Sequence, residues 1–592
     1  MHRFLLFLIS ASSWASFGTS KIIHSISDLQ CSEYDFIIIG GGTAGSVLAN
    51  RLSENPHNKV LVLEAGINNA GIQDVQVPFL GVTLPETSVD WNFTTTPQVG
   101  LNNRSIELAR GFVLGGSSSI NFMAWNRGSQ DYWNSFVTAT KNQMWSFTAL
   151  EKYYRRTSTL VPPADGRDTT GDVDPTAYGN GPVQVSIPGF MTEIDNRVTE
   201  SGKILGGRFS FIEDLNKGKT LGFAYAASSI GNGTRSSAAT AYLEPILKRK
   251  NIDVLISTRV ARVTGHAASK GITHIDTVEI LQNPGDIPHQ IKASKEVLLS
   301  AGVMGTPHIL TLSGIGPKKV LKNLGINVVV AAEDVGANFA DHPLVANYFS
   351  VNSNHTWDPV LRDPSLFAAD LSEWVNSKQG LFVDTAGNTY GFMKLPHGFA
   401  DPSTGPRSAN TEIIFVNGFA PFGATIPPTT GSYLSMLTAV VSPTSRGTVT
   451  TVSRDPFAPP KIDLNIFTTD FDISAMVQVM KDARTLISAS PWDGYIIGPF
   501  GELANATTDD QLATFARNNA VTVNHPVGTA RISPDNARYG VVDSHLKVKG
   551  TSGLRVIDAS VLPQIPECHP QALVYTIAER AADLIKADHG LL

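Results

Sequence analysis

Cysteine is almost absent from this chain of 592 residues, which contains only Cys31 and Cys568. Two cysteines cannot form a disulfide framework, so the fold has to be stabilised by its hydrophobic core. Sequence alone does not determine whether the two pair. We expect that they do not, because Cys31 precedes the first predicted strand and Cys568 adjoins a candidate catalytic histidine.

A large excess of charge is also lacking, since 46 Lys and Arg against 52 Asp and Glu give a formal net charge of −6. Without a basic run or patch, the sequence predicts neither nucleic acid nor an anionic membrane as the main partner. Beyond residue 20, no apolar run reaches the roughly 18 residues that indicate a membrane-spanning helix. The length is sufficient for two or more domains with a large buried interior.

Residues 1–20 have the pattern of a secretory signal. Met1-His2-Arg3 provides a positive end, Phe4 to Ile9 an apolar core, and Ser13-Trp14-Ala15 a small-x-small cleavage site. We therefore predict a secreted protein, with a signal anchor as the alternative. Asn-x-Ser/Thr sequons fit a secreted glycoprotein. The predicted glycan sites are Asn92, Asn103, Asn232, Asn354 and Asn505.

The most informative stretch begins with an apolar run, residues 34–39, that leads directly into Gly-x-Gly-x-x-Gly at Gly40, Gly42 and Gly45. A helical stretch and a second apolar run ending at Glu64 follow, which completes a βαβ unit. In such a unit the first glycine permits a tight turn, the second lets a pyrophosphate approach, and the third allows helix and strand to pack closely. The acid then accepts hydrogen bonds from an adenosine ribose. The alternative is an ordinary strand-to-helix turn.

A second glycine-rich segment, residues 110–122, places Gly115 and Gly116 before three serines. Adjacent backbone N–H groups and hydroxyls suit a loop that lies against a planar or phosphorylated ligand. A flexible Gly/Ser linker is the alternative.

Three motifs in this order resemble those of the glucose-methanol-choline oxidoreductases. They are the glycine unit with Glu64, the segment Leu114 to Asn121, and the segment Thr306 to Gly316. Members of that family bind FAD and oxidise alcohols. The resemblance implies an α/β (α+β) fold, in which a Rossmann-like FAD-binding domain is joined to a substrate-binding domain built on an antiparallel sheet.

The resemblance also divides the chain. Residues 34–340 are expected to be mainly FAD-binding, with a cap segment at about 146–230. Short strands and Pro-rich loops between residues 347 and 518 fit an antiparallel sheet that forms a wall of the substrate pocket. Residues 519–592 then return to the FAD domain. We interpret Asp341-His342 as a structural turn.

The terminal segment carries His525 and His569, and the resemblance makes the first the catalytic base and the second the partner of the alkoxide. A base of near-neutral pKa beside the hydroxyl is what alcohol oxidation by a flavin requires. The expected FAD contacts are Gly40, Gly42, Gly45, Glu64, Gly115, Gly116, Ser117, Asn121, Val260, Asp558, Ala559, Gln571 and Ala572. Val260 would act through its backbone, and Asp558 would bind the ribityl or pyrophosphate region, with helix capping as the alternative.

The paired histidines are the variant found in aryl-alcohol oxidases. Phe122 matches an aromatic residue at the entrance of their active site, whereas Asn524 stands where they tend to have phenylalanine, so that a polar amide would widen or wet the pocket. We predict a secreted oxidase that converts primary aromatic alcohols to aldehydes and reduces O2 to H2O2. In relatives with covalent FAD, the attachment uses a histidine near the second glycine loop. Residues 110–122 contain no histidine, so the resemblance implies a noncovalent FAD. No metal ligand is assigned.

Two alternatives remain open at this point, and two others are less well supported. The first is a dehydrogenase of sugars or biosynthetic alcohols that uses a quinone, and the second is a flavin-bound lyase that cleaves cyanohydrins. A nicotinamide dehydrogenase is disfavoured because the C-terminal segment is suited to a flavin. A noncatalytic binding protein would require the two histidines to be accidental.

Overall fold

The computed structural model describes residues 22–268, 271–422 and 425–591, and the predicted signal segment lies outside them. The strands of its two large sheets are β1 Ile22–Ile23, β2 Glu33–Ile39, β3 Val60–Leu63, β4 Ile252–Leu255, β5 Arg259–Ala267, β6 Thr273–Leu281, β7 His289–Leu299, β8 Pro343–Val351, β9 Thr389–Met393, β10 Thr411–Val416, β11 Tyr433–Val440, β12 Ile496–Pro499, β13 Val521–Thr522, β14 Thr551–Ser552 and β15 Leu554–Val556. The longer helices are α1 Thr43–Leu52, α2 Gln130–Thr140, α3 Phe147–Arg155, α4 Glu193–Leu205, α5 Gly302–Leu312, α6 Pro364–Ser377, α7 Asp470–Ile487, α8 Asp509–Asn519 and α9 Gln571–Asp588.

The first sheet has the strand order β1-β4-β3-β2-β7-β6-β5, with β14 paired to β6 and β15 paired to β7. The strands from β1 to β7 in this order are parallel, whereas β7, β6 and β5 form an antiparallel meander. All four residues of β3 are buried, as expected for a parallel strand covered on both faces. This sheet contains the predicted βαβ unit, formed by β2, α1 and β3.

The second sheet has the order β9-β10-β11-β8-β12, with β13 paired to β8, and every pairing is antiparallel. Its strands lie between residues 343 and 522, so the sheet begins slightly before the expected range of 347–518 and takes its last strand, β13, from the segment assigned to the FAD domain. Residues 146–230 contain α3, α4 and the short strands Ser158–Leu160, Val183–Val185 and Gly222–Tyr225.

The C-terminal segment returns to the first sheet. Strand β15 runs parallel to β7, with Val297 opposite Leu554, and α9 packs against α1. A buried ion pair reinforces this return, since the Arg555 guanidinium donates to Glu296 at 2.6 and 2.9 Å. Only 1% of Arg555 is exposed.

The structure shows the exposure of the predicted glycan sites and the state of the two cysteines. All five sequon asparagines are exposed. Cys31 and Cys568 are both free thiols, as expected, and Cys568 is buried. Within the described ranges, no helix combines the length and apolar character that crossing a bilayer demands.

We predict that Glu296→Gln destabilises the protein by about 1–3 kcal/mol, because the buried Arg555 guanidinium then keeps only Asp588, which is 34% exposed, as a carboxylate partner. Thermal unfolding of the variant checks this expectation. Glu200→Gln is the matched control, since its partner Lys203 and Glu200 itself are more than half exposed (side-chain exposure 62% and 53%). The control should change stability by about 1 kcal/mol at most. Equal effects of the two substitutions would contradict the role given to the buried pair.

Candidate active site

A cavity of about 690 Å³ extends between the two sheets and the C-terminal segment. Most of the predicted site residues line it. They are Gly40, Gly42, Glu64, Gly116, Ser117, Asn121, Phe122, Val260, Asn524, His525, Asp558, Ala559, His569 and Gln571. Gly45, Gly115 and Ala572 do not line the cavity, because they lie behind its wall.

The three glycines of the motif have different physical roles. Gly40 has φ +104°, and a Cβ there would lie 2.4 Å from the Ser300 carbonyl oxygen, so the tight turn requires glycine. A Cβ on Gly45 would lie 1.9 Å from the Gly40 oxygen, so close packing of helix on strand also requires it. A Cβ on Gly42 would meet only the Gly116 Cα, at 3.7 Å. Glycine at position 42 therefore leaves space in the cavity, and the packing of the protein does not require it.

Glu64 braces the glycine turn from inside the cavity. Its two carboxylate oxygens accept hydrogen bonds from the Gly41 N–H at 2.8 Å and the Gly66 N–H at 2.6 Å. Burial raises the pKa of Glu64 to about 7, although these backbone donors oppose the shift. A carboxylate has further lone pairs, so the same group can also accept from a ribose hydroxyl.

The second glycine loop is tied to the terminal helix by a side-chain network that sequence reading missed. Gln571 accepts from the Asn121 amide at 3.0 Å and donates to the Met123 carbonyl at 3.0 Å. The buried Arg235 guanidinium donates to the Ser118 and Asn121 carbonyls at 3.2 and 2.7 Å. Asn121 and Gln571 therefore shape the loop, while Gly116, with φ +54°, faces Gly42 across it.

The Asp558 side chain is held by hydrogen bonds from protein donors. One of its oxygens accepts from the Ser560 N–H at 2.8 Å, and the other accepts from the Gly302 N–H and the Thr306 hydroxyl at 3.0 and 2.6 Å. The side chain is engaged by protein donors as a cap, which is the alternative role. A carboxylate has further lone pairs, and Asp558 also lines the cavity, so its contact with the ribityl or pyrophosphate region of FAD stays a prediction.

These residues fit FAD. The glycine turn leads into the N-terminus of α1, Glu64 lies at the end of the next strand, and the glycines at 42 and 116 leave the space between them free of side chains. A pyrophosphate is held by such a helix terminus, and an adenosine by the strand-end carboxylate. Val260 lines the cavity on the same side, and the start of α9 borders it beside the histidines.

The two predicted catalytic histidines meet at the other end of the cavity. His525 Nε2 lies 3.1 Å from His569 Nδ1, and the ring centroids are 4.6 Å apart at an interplanar angle of 82°. His525 follows β13, and His569 precedes α9. The two nitrogens are hydrogen-bonded to each other, and a hydroxyl that replaced this bond would have both of them within reach, which is the geometry of general acid–base chemistry.

Three further side chains extend this pair, and sequence reading did not assign them to the site. His342 Nδ1 lies 3.0 Å from His525 Nδ1, and Glu412 Oε1 lies 2.7 Å from His569 Nε2. Asp341 accepts hydrogen bonds from the His342 and His525 N–H groups, each at 2.8 Å. The Asp341-His342 turn is therefore structural, as expected, but what it supports is His525. The position of Asp341-His342 directly before a buried strand was the signal in the sequence that could have assigned these residues to the site.

The electrostatics keep His525 neutral. Burial, together with the neighbouring His569, His342 and Arg110, holds the pKa of His525 well below its ordinary value. Burial and His569 also lower the pKa of His342 to about 3. Burial raises the pKa of Asp341 to about 6, against its hydrogen bonds and the charge of Arg110.

Asn524 has a backbone reason for its identity. Its φ is +64°, in the left-handed region that asparagine tolerates better than most residues. Its side-chain oxygen accepts from the Ala109 N–H at 2.9 Å, and its carbonyl accepts from Arg110 at 2.7 Å. The residue lines the cavity, but its amide oxygen is tied to the neighbouring loop.

The substrate side of the cavity is mainly apolar. Phe122 is 37% exposed at its edge, and its ring lies 6.5 Å from that of Phe422 in a T-shaped contact. Strands of the second sheet contribute the remaining wall, which includes Leu344, Ile414, Val416 and Leu437. The antiparallel sheet therefore forms a pocket wall, as its pattern predicted.

Two models of the family described as GMC oxidoreductase match the chain, one over residues 34–344 and the other over residues 443–578. Dehydrogenase eriK from Hericium erinaceus is 37% identical over 581 residues, which cover 95% of each chain. Pyranose dehydrogenase 3 from Leucoagaricus meleagris is 36% identical over 574 residues, which cover 94% of each chain.

Solved structures agree with the predicted α/β fold. Formate oxidase from Aspergillus oryzae, studied for its FAD modification, matches with a TM-score of 0.86 and 30% identity over 94% of this chain and 99% of that one. A fungal aryl-alcohol oxidase matches with a TM-score of 0.80 and 25% identity over 95% and 100%. The particular likeness to aryl-alcohol oxidases is thus weaker in identity than the likeness to the pyranose dehydrogenase.

We predict that Gly45→Ala and Gly42→Ala separate folding from cofactor binding. The first should destabilise the apoprotein by about 1–3 kcal/mol or more, because its Cβ overlaps a backbone oxygen. The second should leave apoprotein stability unchanged and weaken FAD binding. Thermal unfolding and a fluorescence titration with FAD measure the two effects. A Gly42→Ala protein that binds FAD normally would contradict the role given to that glycine.

We predict that the rate of flavin reduction does not decline near pH 6.5, the ordinary histidine value, because His525 stays neutral to lower pH. Anaerobic stopped-flow measurements between about pH 5 and 8 test this expectation. Any decline in the rate that is caused by protonation of Asp341, whose pKa is raised to about 6, should be absent from Asp341→Asn. A decline at the ordinary histidine value that persists in this variant would show that His525 titrates normally.

Proposed function

The chain belongs to the GMC oxidoreductase family and binds FAD, and we propose that it oxidises a primary, apolar or aromatic alcohol to the aldehyde. The observation that carries this proposal is the contact of 3.1 Å between His525 Nε2 and His569 Nδ1, at the junction of the FAD cleft and an apolar chamber. An alcohol placed there would face the cofactor side with its carbon, and its hydroxyl would replace the direct contact between the two rings.

In the proposed mechanism, His525 is the general base. Its depressed pKa keeps the imidazole unprotonated, so that it can take the proton of the hydroxyl. His569 donates a hydrogen bond to the oxygen as negative charge develops on it. FAD supplies the two-electron acceptor for the carbon-bound hydrogen. Asp341 holds the backbone of His525, and His342 supports its ring from the far side.

The lining of the pocket supports an apolar substrate. A pyranose presents several hydroxyl groups, each of which needs a polar partner when it is buried. Two polar side chains beside the histidines are already engaged, because the Thr522 hydroxyl bonds to Asp341 and the Asn524 amide oxygen accepts from Ala109. The side chains of Phe122 and Phe422 instead offer aromatic surface to a flat ring.

The relatives support a second candidate, a sugar dehydrogenase that passes electrons to a quinone. The pyranose dehydrogenase with 36% identity is the specific observation in its favour. Within our proposal, the acceptor is either O2, with release of H2O2, or a quinone, and the two are distinguished below. A cyanohydrin lyase would use the same two histidines without net redox chemistry.

We also propose that the protein is secreted and glycosylated. The signal pattern of residues 1–20 and the five exposed sequons support this proposal.

We predict that anaerobic benzylic alcohol bleaches the flavin spectrum faster than glucose does. His525→Ala should slow this reduction by about 10² to 10⁴-fold, because the base is lost. Reoxidation by O2 and by a benzoquinone, followed separately, identifies the acceptor, and peroxide formation identifies an oxidase.

His355→Ala is the control, because that histidine is exposed and does not line the cavity. Faster reduction by glucose would favour the sugar dehydrogenase, and a flavin that no alcohol bleaches would favour the lyase. Normal reduction of His525→Ala would remove His525 from its role.

A further inference from the structure

Arg235 is a buried cation whose hydrogen-bond partners are all neutral. It lies in the short strand Thr234–Arg235 and is 4% exposed. Its guanidinium donates to the backbone carbonyls of Val75 at 2.7 Å, Ser118 at 3.2 Å and Asn121 at 2.7 Å. It also donates to the side-chain oxygen of Asn121 at 2.9 Å. The remaining nitrogen, Nη2, is buried without a hydrogen-bond partner.

Among the residues that the structure describes, no carboxylate balances this charge. The ionisable group that acts on Arg235 is Tyr575, and burial raises the pKa of that phenol, which keeps it neutral. Carbonyl dipoles reduce the cost of burying a guanidinium, but they carry no net charge. Burial lowers the pKa of Arg235 to about 9, so the group is still cationic at neutral pH. A net positive charge therefore stays in the interior.

This charge lies directly behind the cavity wall, at the end that holds the histidines. Asn121, which accepts from Arg235 through both of its oxygens, donates from its amide to Gln571 at 3.0 Å. Gln571 is the first residue of α9 and follows His569 by two positions. Asn121, Gln571 and His569 all line the cavity. One hydrogen-bonded residue thus separates Arg235 from the part of the cavity in which a substrate has to meet the flavin ring.

We propose that Arg235 raises the reduction potential of the bound flavin, as a fixed charge behind the cofactor loop. Transfer of two electrons and one proton to the ring adds one negative charge to it. A cation in a low-dielectric interior favours the state that carries this charge. The inference requires bound FAD but no particular alcohol, because any two-electron reductant produces the same reduced ring. Its failure would therefore leave the proposed function unchanged.

Gly81 offers a position from which the missing anion can be supplied. A Cβ at Gly81 would lie 3.1 Å from Arg235 Nη2 and 3.3 Å from the Asn121 carbonyl oxygen, which is close but not an overlap. Gly81→Asp therefore brings a carboxylate to the unpartnered nitrogen, while Arg235 keeps its own hydrogen bonds. Gly81→Asn is the matched variant, because it has nearly the same size and no charge.

The midpoint potential of the holoenzyme, measured by chemical reduction beside a reference dye, tests the proposal. Gly81→Asp should have a lower potential than Gly81→Asn by about 30 mV, which for a two-electron couple is a tenfold change in the relative affinity for reduced and oxidised FAD. The steric effect of the new side chain is common to both variants and cancels in this comparison. Equal potentials in the two variants would overturn the proposal.

Substitution of Arg235 itself gives an independent test that leaves Gly81 unchanged. Arg235→Gln removes the charge and should lower the midpoint potential by a similar amount. Arg235→Lys keeps the charge but loses the planar fork of donors, so it should retain most of the original potential. A potential that falls equally in both variants would show that Arg235 only maintains the shape of the loop.

Arg484→Gln is the control for a loss of stability without a change of charge near the flavin. Arg484, on α7, also donates to backbone carbonyls, those of Ala506 at 2.6 Å and Leu503 at 3.5 Å. None of these three residues lines the cavity. This variant should lower the thermal stability and leave the midpoint potential unchanged. A potential that falls as far as in Arg235→Gln would show that stability, and not charge, controls it.

Discussion

The contact between His525 and His569 depends on the return of the C-terminal segment to the first sheet. Strand β15 joins β7 and α9 packs against α1, so that the residue before this helix reaches the edge of the cleft. His525 reaches the same point from the end of β13, an element of the second sheet. The site therefore exists only where the two sheets meet, and the buried Arg555 and Glu296 pair stabilises the segment that completes it.

Several buried acids in this protein have a basic side chain as their partner. Arg51 bonds to Glu579, Arg555 to Glu296, and His569 to Glu412, and each pair joins segments that are distant in sequence. Such pairs are costly to form and more costly to break, which makes them suited to fixing one arrangement of segments. The contact with Glu412 fixes the position of the His569 ring beside His525.

The local features of the cofactor cleft could be predicted from sequence because their causes are local. A glycine at a tight turn, one at a close helix contact and one at an open cleft occupy spacings set by a single βαβ unit. The roles of Glu412 and His342 could not be predicted, since a lone acid in a strand and a lone histidine in a turn are usually structural. The role of Asp558 was ambiguous from the sequence, because an aspartate at the end of a strand is suited both to contacting a ligand and to capping a helix.

The sequence by itself determined the class of fold, the cofactor and the two histidines, because these depend on motifs whose residues are neighbours along the chain. Only the tertiary structure decided which side chains surround the histidines, since Glu412, His342 and Asp341 reach them from other strands and turns. It also decided the apolar character of the pocket, which comes from residues on alternate positions of several strands. The surroundings of the two histidines and the lining of the pocket depend on those long-range contacts, which no local pattern encodes.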